Sequence, residues 1–198
     1  MADAHFEIPR LAEVYDPLDP DRSDLEAYGA IVDEFGATSV LDIGCGTGTF
    51  ACMLASRGKD VIGLDPAGAS LEVARNKRGA DRVAWVHGEL GALPVLQVDQ
   101  AWIRWTREAT YTRVVLVGVG PVEHWVEVTD VREDFVSFRS TYIFEADGAL
   151  YTSASTLRFR SRTQIEDSLG EAGFAVTDVR EAPDRPGREL VFIARRSD

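Results

Sequence analysis

SVLDIGCGTG, residues 39–48, runs a short apolar segment straight into three glycines at every second position, and TFACMLASRG follows at once. The pattern predicts strand, tight turn and helix. Glycines let the backbone turn sharply and pass close to a ligand, while the helix start aims unpaired N–H groups at it. Phe50, Met53 and Leu54 give that helix a buried face, Gly58 ends it, and DVIGLD at 60–65 reads as a second buried strand. A helix near 69–78, with Arg75, Lys77 and Arg78 in its last turn against the helix dipole, then leads into the strand RVAWVH. Residues 38–87 therefore read as parallel β-α-β-α-β. The loop implies a nucleotide-like ligand. The dinucleotide fingerprint needs G-x-G-x-x-G, but position 49 is Thr49, so the pattern is G-x-G-x-G with Asp42 two residues before the first glycine.

Upstream, the N-terminal stretch is acidic and its DPLDPDRSDLE portion carries structure-breaking prolines. Ser23 and Glu26 have the spacing of a capping box, and Leu25, Tyr28, Ile31, Val32 and Phe35 recur at helical spacing over 24–35. Downstream of Pro94 the chain alternates apolar and polar residues through TRVVLVGV, VEHWVEVTDV and DFVSFRSTYIFEADGALYTSASTLRF. That alternation, with Asp147-Gly148 at a tight turn, predicts an antiparallel meander over 112–159. Ser161 with Gln164 offers a second capping box for a helix buried through Ile165, Leu169 and Ala172 and stopped at Gly173. Two last strands, near 175–180 and 189–194, flank APDRPGR.

With 198 residues, 45% hydrophobic and 27% charged, the chain suits one ordinary globular domain. The net charge of -12 disfavours nucleic acid and anionic membrane surfaces, although Arg158, Arg160 and Arg162 could form a local basic patch. The apolar run VVLVGVG is far shorter than the roughly 20 residues of a spanning helix, and the expected location is the cytoplasm. Cys45 and Cys52 read as reduced thiols, with Cys45 a small residue of the turn rather than a nucleophile. His5, His87 and His124 lack metal-ligand spacing, and His124-Trp125 suits sheet packing better than a general base. Trp102, Trp105, Trp125, Phe138, Tyr142 and Tyr151 are read as packing residues before acceptor-pocket residues.

VLDIGCGTG at 40–48, VIGLDP at 61–66 and HGELGALP at 87–94 together resemble the class I S-adenosylmethionine-dependent methyltransferases, specifically over 38–95. YDPLDPDRSDLEAY and ADGALYTSASTLRFRSRTQIEDSLGEAGF resemble the N-terminal and C-terminal parts of bacterial members. The resemblance implies that Gly44, Cys45, Gly46, Thr47 and Gly48 pass under the methionine and ribose of S-adenosyl-L-methionine, and that Asp65, before Pro66, accepts the ribose hydroxyls. Glu89, beside Leu90, takes the place of the acid that holds the adenine amino group. Asp42 orients the loop or meets the ligand's ammonium, and Tyr15 closes over the ligand or anchors the N-terminal arm.

The implied fold is a Rossmann-like α/β class I methyltransferase sheet, shortened, with an antiparallel β meander inserted before the C-terminal helix and strands. It forms a single domain, 1–198, of four parts: the arm and helix (1–37), the cofactor-binding half (38–95), the meander (112–159) and the C-terminal helix and strands (160–198). The sequence departs from the family after the third strand, where no fourth or fifth strand is legible and LPVLQVDQAWIRWTRE leads almost directly into the meander. The first strand's outer edge must then be met by the last two strands, by a second copy in a homodimer, or by nothing, leaving a marginal fold. The expected activity is methyl transfer to a small-molecule acceptor, with no catalytic base identified. The alternative is a shortened, non-catalytic S-adenosylmethionine-binding homologue or a dimeric interaction module. A nicotinamide-dependent oxidoreductase is disfavoured by Thr49.

Overall fold

In the computed structural model, which describes residues 2–88, 101–182, 187 and 189–197, the acidic N-terminal stretch is helical. It forms α1 (Ala4–Glu7), α2 (Pro9–Leu18) and α3 (Asp24–Glu34). Pro9 opens α2 where its missing N–H has no intrahelical partner to lose, and Pro17 falls in the last turn, so the prolines bound α2 rather than prevent it. The expected capping box at Ser23 does not form. Ser23 has helical backbone angles (φ -63, ψ -22), whereas a capping side chain needs an extended residue, and its backbone N–H instead donates to Asp21 Oδ1 at 3.1 Å.

The contacts group into two compact units, Met1–Ala92 with Arg113–Glu123 and Tyr142–Ser153, and Leu93–Thr112 with His124–Thr141 and Ala154–Asp198. In the first unit β1 (Ser39–Ile43), α4 (Thr49–Ser56), β2 (Asp60–Asp65), α5 (Gly68–Arg75) and β3 (Val83–His87) alternate as expected. The strands pair in parallel in the order β1-β2-β3, with Ile43 opposite Leu64 and Asp65 opposite His87. Both βα turns thus open at one end of the sheet. Ala51, Leu54 and Ala55 of α4 pack on Val61 and Val83, and Trp85 joins that face. The period of two sends Leu41, Ile43, Ile62 and Val86 to the opposite face, where 40–51% of each is exposed. A groove of about 400 Å³ along that face is lined by Ser39, Leu41, Asp60, Ile62 and Ala84.

Among the described strands β1 pairs only with β2, and no fourth or fifth strand joins this sheet. The meander follows as β4 (Thr112–Leu116), β5 (Gly120–Arg132), β6 (Phe135–Phe144) and β7 (Ala149–Arg158), ordered β4-β5-β6-β7. Its first-unit residues Leu116, Val122, Tyr142 and Phe144 bury Leu11 and Val14 of α2. Arg10 lies 3.8 Å from the Phe144 ring and donates to Asp147 at 2.7 Å, so the arm is part of this core.

In the second unit α6 (Arg107–Thr110) is capped by Thr106, and Trp105 packs edge-on to Phe138 at 4.9 Å. Helix α7 (Arg162–Glu171) begins with the expected reciprocal box, Ser161 accepting from the Gln164 N–H and Gln164 from the Ser161 N–H. The last strands, β8 (Phe174–Glu181) and β9 (Leu190–Arg196), pair antiparallel with each other in a two-stranded sheet of their own, and neither hydrogen-bonds to β1. Among the described residues no helix is long and apolar enough to cross a membrane.

Candidate functional site

The glycine loop leaves the C-terminal end of β1 and is pinned to β2 by the Gly44 and Cys45 N–H groups, which donate to the Leu64 carbonyl at 2.8 and 3.2 Å. Gly44 and Gly46 lie at φ +74 and +53, which L side chains rarely adopt, and a Cβ at either would meet nothing within 4 Å. The loop is therefore a backbone cradle with open space over its two turning residues. Gly48 is different: a Cβ there would meet Ala74 at 2.8 Å and the Trp85 ring at 3.0 Å. Trp85, held by its indole N–H on the Ala80 carbonyl at 3.0 Å, fills the underside of the loop.

Asp65 closes the cradle from the end of β2. Its Oδ2 accepts the Gly46 N–H at 2.8 Å and its Oδ1 the Ala67 N–H at 2.7 Å, and only 7% of the residue is exposed. Each carboxylate oxygen has two lone pairs, so one per oxygen stays available for a hydroxyl donor. Asp42 Oδ2 is buried without a hydrogen-bond partner among the described residues. Burial, with the Asp65 charge second, raises its pKa to about 6. Burial first, then Asp42 and Asp65, push the Cys45 thiol up to about 12, which keeps it protonated and unsuited to nucleophilic chemistry. The unpartnered acid and the open cradle together fit a cationic nucleoside with free ribose hydroxyls.

Tyr15 stands on α2, its ring 5.2 Å from His5 and 5.8 Å from Phe6. Its neighbour Asp16 reaches the loop, accepting from the Thr47 hydroxyl at 2.7 Å and the Thr49 hydroxyl at 3.4 Å, and ion-pairs with Lys77. Lys77 lies beyond the end of α5 at Arg75, so its partner is this carboxylate and not the helix dipole. Pro66 contributes its carbonyl, hydrogen-bonded to His87 Nε2 at 2.9 Å, which with the Gly88 N–H on the Asp65 carbonyl ties the ends of β2 and β3. Glu89 and Leu90 lie outside the described residues.

Sequence reading thus named Asp42, the glycines, Thr47 and Asp65 but missed Asp16, Lys77 and Trp85. Asp16 carried one signal, its adjacency to Tyr15. The hydrogen bond between the Tyr142 hydroxyl and His5 Nδ1 carried none. Burial lowers the His124 pKa, which holds the ring neutral on β5. Arg158 pairs with Asp134, Arg160 with the Gln164 carbonyl and Ser168, and Arg162 with Glu166, so the three arginines are each engaged locally. Among the described residues no group of His, Cys, Asp and Glu is placed to hold a metal ion.

A protein-family profile described as "Methyltransferase domain" matches residues 40–113. The chain is 47% identical over 62 residues to the biotin biosynthesis bifunctional protein BioHC of Cellvibrio japonicus, covering 30% of this chain and 12% of that protein. It is 43% identical over 61 residues to the ubiquinone biosynthesis O-methyltransferase of Acinetobacter baylyi, covering 31% of this chain and 25% of that one. The match thus spans a quarter or less of each curated relative's length. Among solved structures, an S-adenosylmethionine-dependent methyltransferase from Clostridium acetobutylicum superposes with a TM-score of 0.70 at 14% identity, over 96% of this chain and 99% of that one. Through the glycine loop and the acid after its second strand the chain is similar in sequence to S-adenosylmethionine-dependent methyltransferases over residues 40–113, and it shares the Rossmann-like fold of a class I member over nearly its whole length.

Proposed function

We propose that the chain binds S-adenosyl-L-methionine in the glycine cradle and transfers its methyl group to a small-molecule acceptor in the cytoplasm. The observation that carries this reading is Asp42 Oδ2, buried and unpartnered among the described residues, beside a cradle whose Gly44 and Gly46 face open space. Bound there, the sulfonium supplies an electrophilic methyl for in-line displacement, for which positioning of the two reactants is the main requirement. Asp65 holds the ribose hydroxyls with its remaining lone pairs while fixing Gly46. Asp42 faces the cationic end of the ligand, and Tyr15 closes over it from α2. Glu89 and Leu90 complete the adenine side. The named functions of the curated relatives, biotin and ubiquinone biosynthesis, support a small organic acceptor. The outer edge of β1, which pairs with no other described strand, supports a homodimer as the working assembly.

Calorimetric titration with S-adenosylmethionine and with its demethylated product tests the reading. One-site binding is expected. Asp65→Ala should weaken it about 100-fold, as losing two hydrogen bonds to a charged group removes roughly 3 kcal/mol. A folded wild type that binds neither ligand overturns the proposal. One observation favours a second reading, a non-catalytic binding homologue: among the described strands no fourth strand joins β1, where an acceptor-side segment would start. Methyl transfer to any acceptor in a broad panel would exclude it.

A further inference from the structure

We propose that Asp16 is a positioning residue for the cofactor loop, a latch that holds α2, and with it Tyr15, against the glycine cradle. The inference rests on the function proposed above and adds to it a residue that acts through the loop rather than on the ligand. Three separate elements converge on one carboxylate. Thr47 lies between Gly46 and Gly48, Thr49 opens α4, and Lys77 follows α5; the first two donate hydroxyls to Asp16 Oδ1 and the third an ammonium to Oδ2. An ionised carboxylate only accepts, so it can take all three donors at once, whereas an amide cannot.

The placement is what gives the network a function. Gly46 is held from the sheet side by Asp65, and the next residue, Thr47, is held from the arm side by Asp16. The loop is thus clamped on two sides, and one clamp is a charge carried by the arm. Thr47 is 5% exposed, while the Asp16 and Lys77 side chains are each 24% exposed. The pair is shielded enough to exceed an ordinary surface ion pair and wet enough to open. A second tie, the Ser70 hydroxyl on the Phe6 carbonyl at 3.1 Å, keeps α1 beside α5 when the latch is released, so loss of Asp16 loosens the arm without detaching it.

The experiment combines Asp16→Asn and Lys77→Met with the double variant, each titrated with S-adenosylhomocysteine and followed by hydrogen exchange. Asp16→Asn should raise the Kd five- to tenfold, the cost of weakening charge-assisted bonds at a half-shielded site. Lys77→Met should do the same, and the double variant should be no weaker than the worse single one, because both act on one network. Exchange in residues 4–18 should quicken in the unliganded variants while β1, β2 and α4 keep their protection and the midpoint of unfolding moves by less than about 3 °C. Wild-type affinity in Asp16→Asn overturns the latch. So does a general loss of protection in both single variants, since Asp16 would then be a stability residue. If the wild type itself does not bind, the proposed function falls, and the latch is judged on exchange alone: a loosened arm keeps it, and an unchanged arm sinks it.

Discussion

At Gly63 and Trp85 the loop's shape comes down to the volume of one side chain. A Cβ on Gly63 would stand 2.7 and 2.8 Å from the Trp85 ring and 3.1 Å from Cys45 Sγ, and a ring held by its indole N–H has little room to yield. Gly63→Ala should therefore destabilise the protein by about 1–3 kcal/mol, the usual range for overpacking, read as a lower urea midpoint at unchanged slope. Asp42 predicts the opposite sign. Its folded pKa of about 6 exceeds the ordinary 3.8, so the folded state holds the proton more tightly; that contribution is complete below 3.8 and lost as pH rises through 6. Above pH 7 the ionised group burdens the unliganded fold. Asp42→Asn should then be the more stable protein at pH 7.5, by about 3 kcal/mol at about 1.4 per pKa unit, with the difference vanishing near pH 4. The same substitution should weaken S-adenosylmethionine binding, and wild-type affinity should fall as pH drops below about 6. A gain in stability with no loss of affinity would remove Asp42 from the site.

At the scale of elements, two serines with the same sequence signature behave differently. Ser161→Ala should cost about 1 kcal/mol, because its side chain accepts the Gln164 N–H and Gln164 returns the bond. Ser23→Ala should cost a few tenths at most, because Ser23 makes no capping bond to α3. Equal losses in thermal unfolding would contradict the difference in their backbone angles. The pair also shows how far local pattern reaches. Spacing sufficed for the bounds of α4, β2, β3, the meander and α7, where periodicity and glycine stops act within one element, but of the expected buried face of α7 only Ile165 is buried and Ala172 is exposed. It failed at Pro17, because a proline in a last turn costs one bond that the Leu11 and Val14 contacts outweigh, and that packing depends on β4, β5 and β6. Asp16 and Lys77 were illegible for the same reason: 61 residues separate them, and only the folded βαβ unit brings them together.

Across the molecule, the site's polar half was legible because its parts sit on consecutive turns at one sheet end, whereas the treatment of the sheet's far face was not. Nothing in the alternation of β1, β2 and β3 says that Leu41, Ile43, Ile62 and Val86 stay 40–51% exposed; the pattern marks them as core. An apolar face of this kind should take up a hydrophobic dye in the native state, which few folded proteins do. Leu41→Glu with Ile62→Glu should reduce that fluorescence severalfold and leave S-adenosylhomocysteine affinity unchanged, since the groove they line starts at Ser39 and Asp60, at the strand ends away from the glycine loop. Undiminished dye binding would place the apolar surface elsewhere. The outer edge of β1 has a further consequence, for construction rather than for binding. Its hydrogen-bonding groups face no neighbouring strand among those described, while the glycine loop at its far end is already braced through β2 by Asp65 and Leu64. The edge is thus a socket: a strand-helix-strand graft seated there could install a new acceptor pocket and leave the cofactor half as it stands.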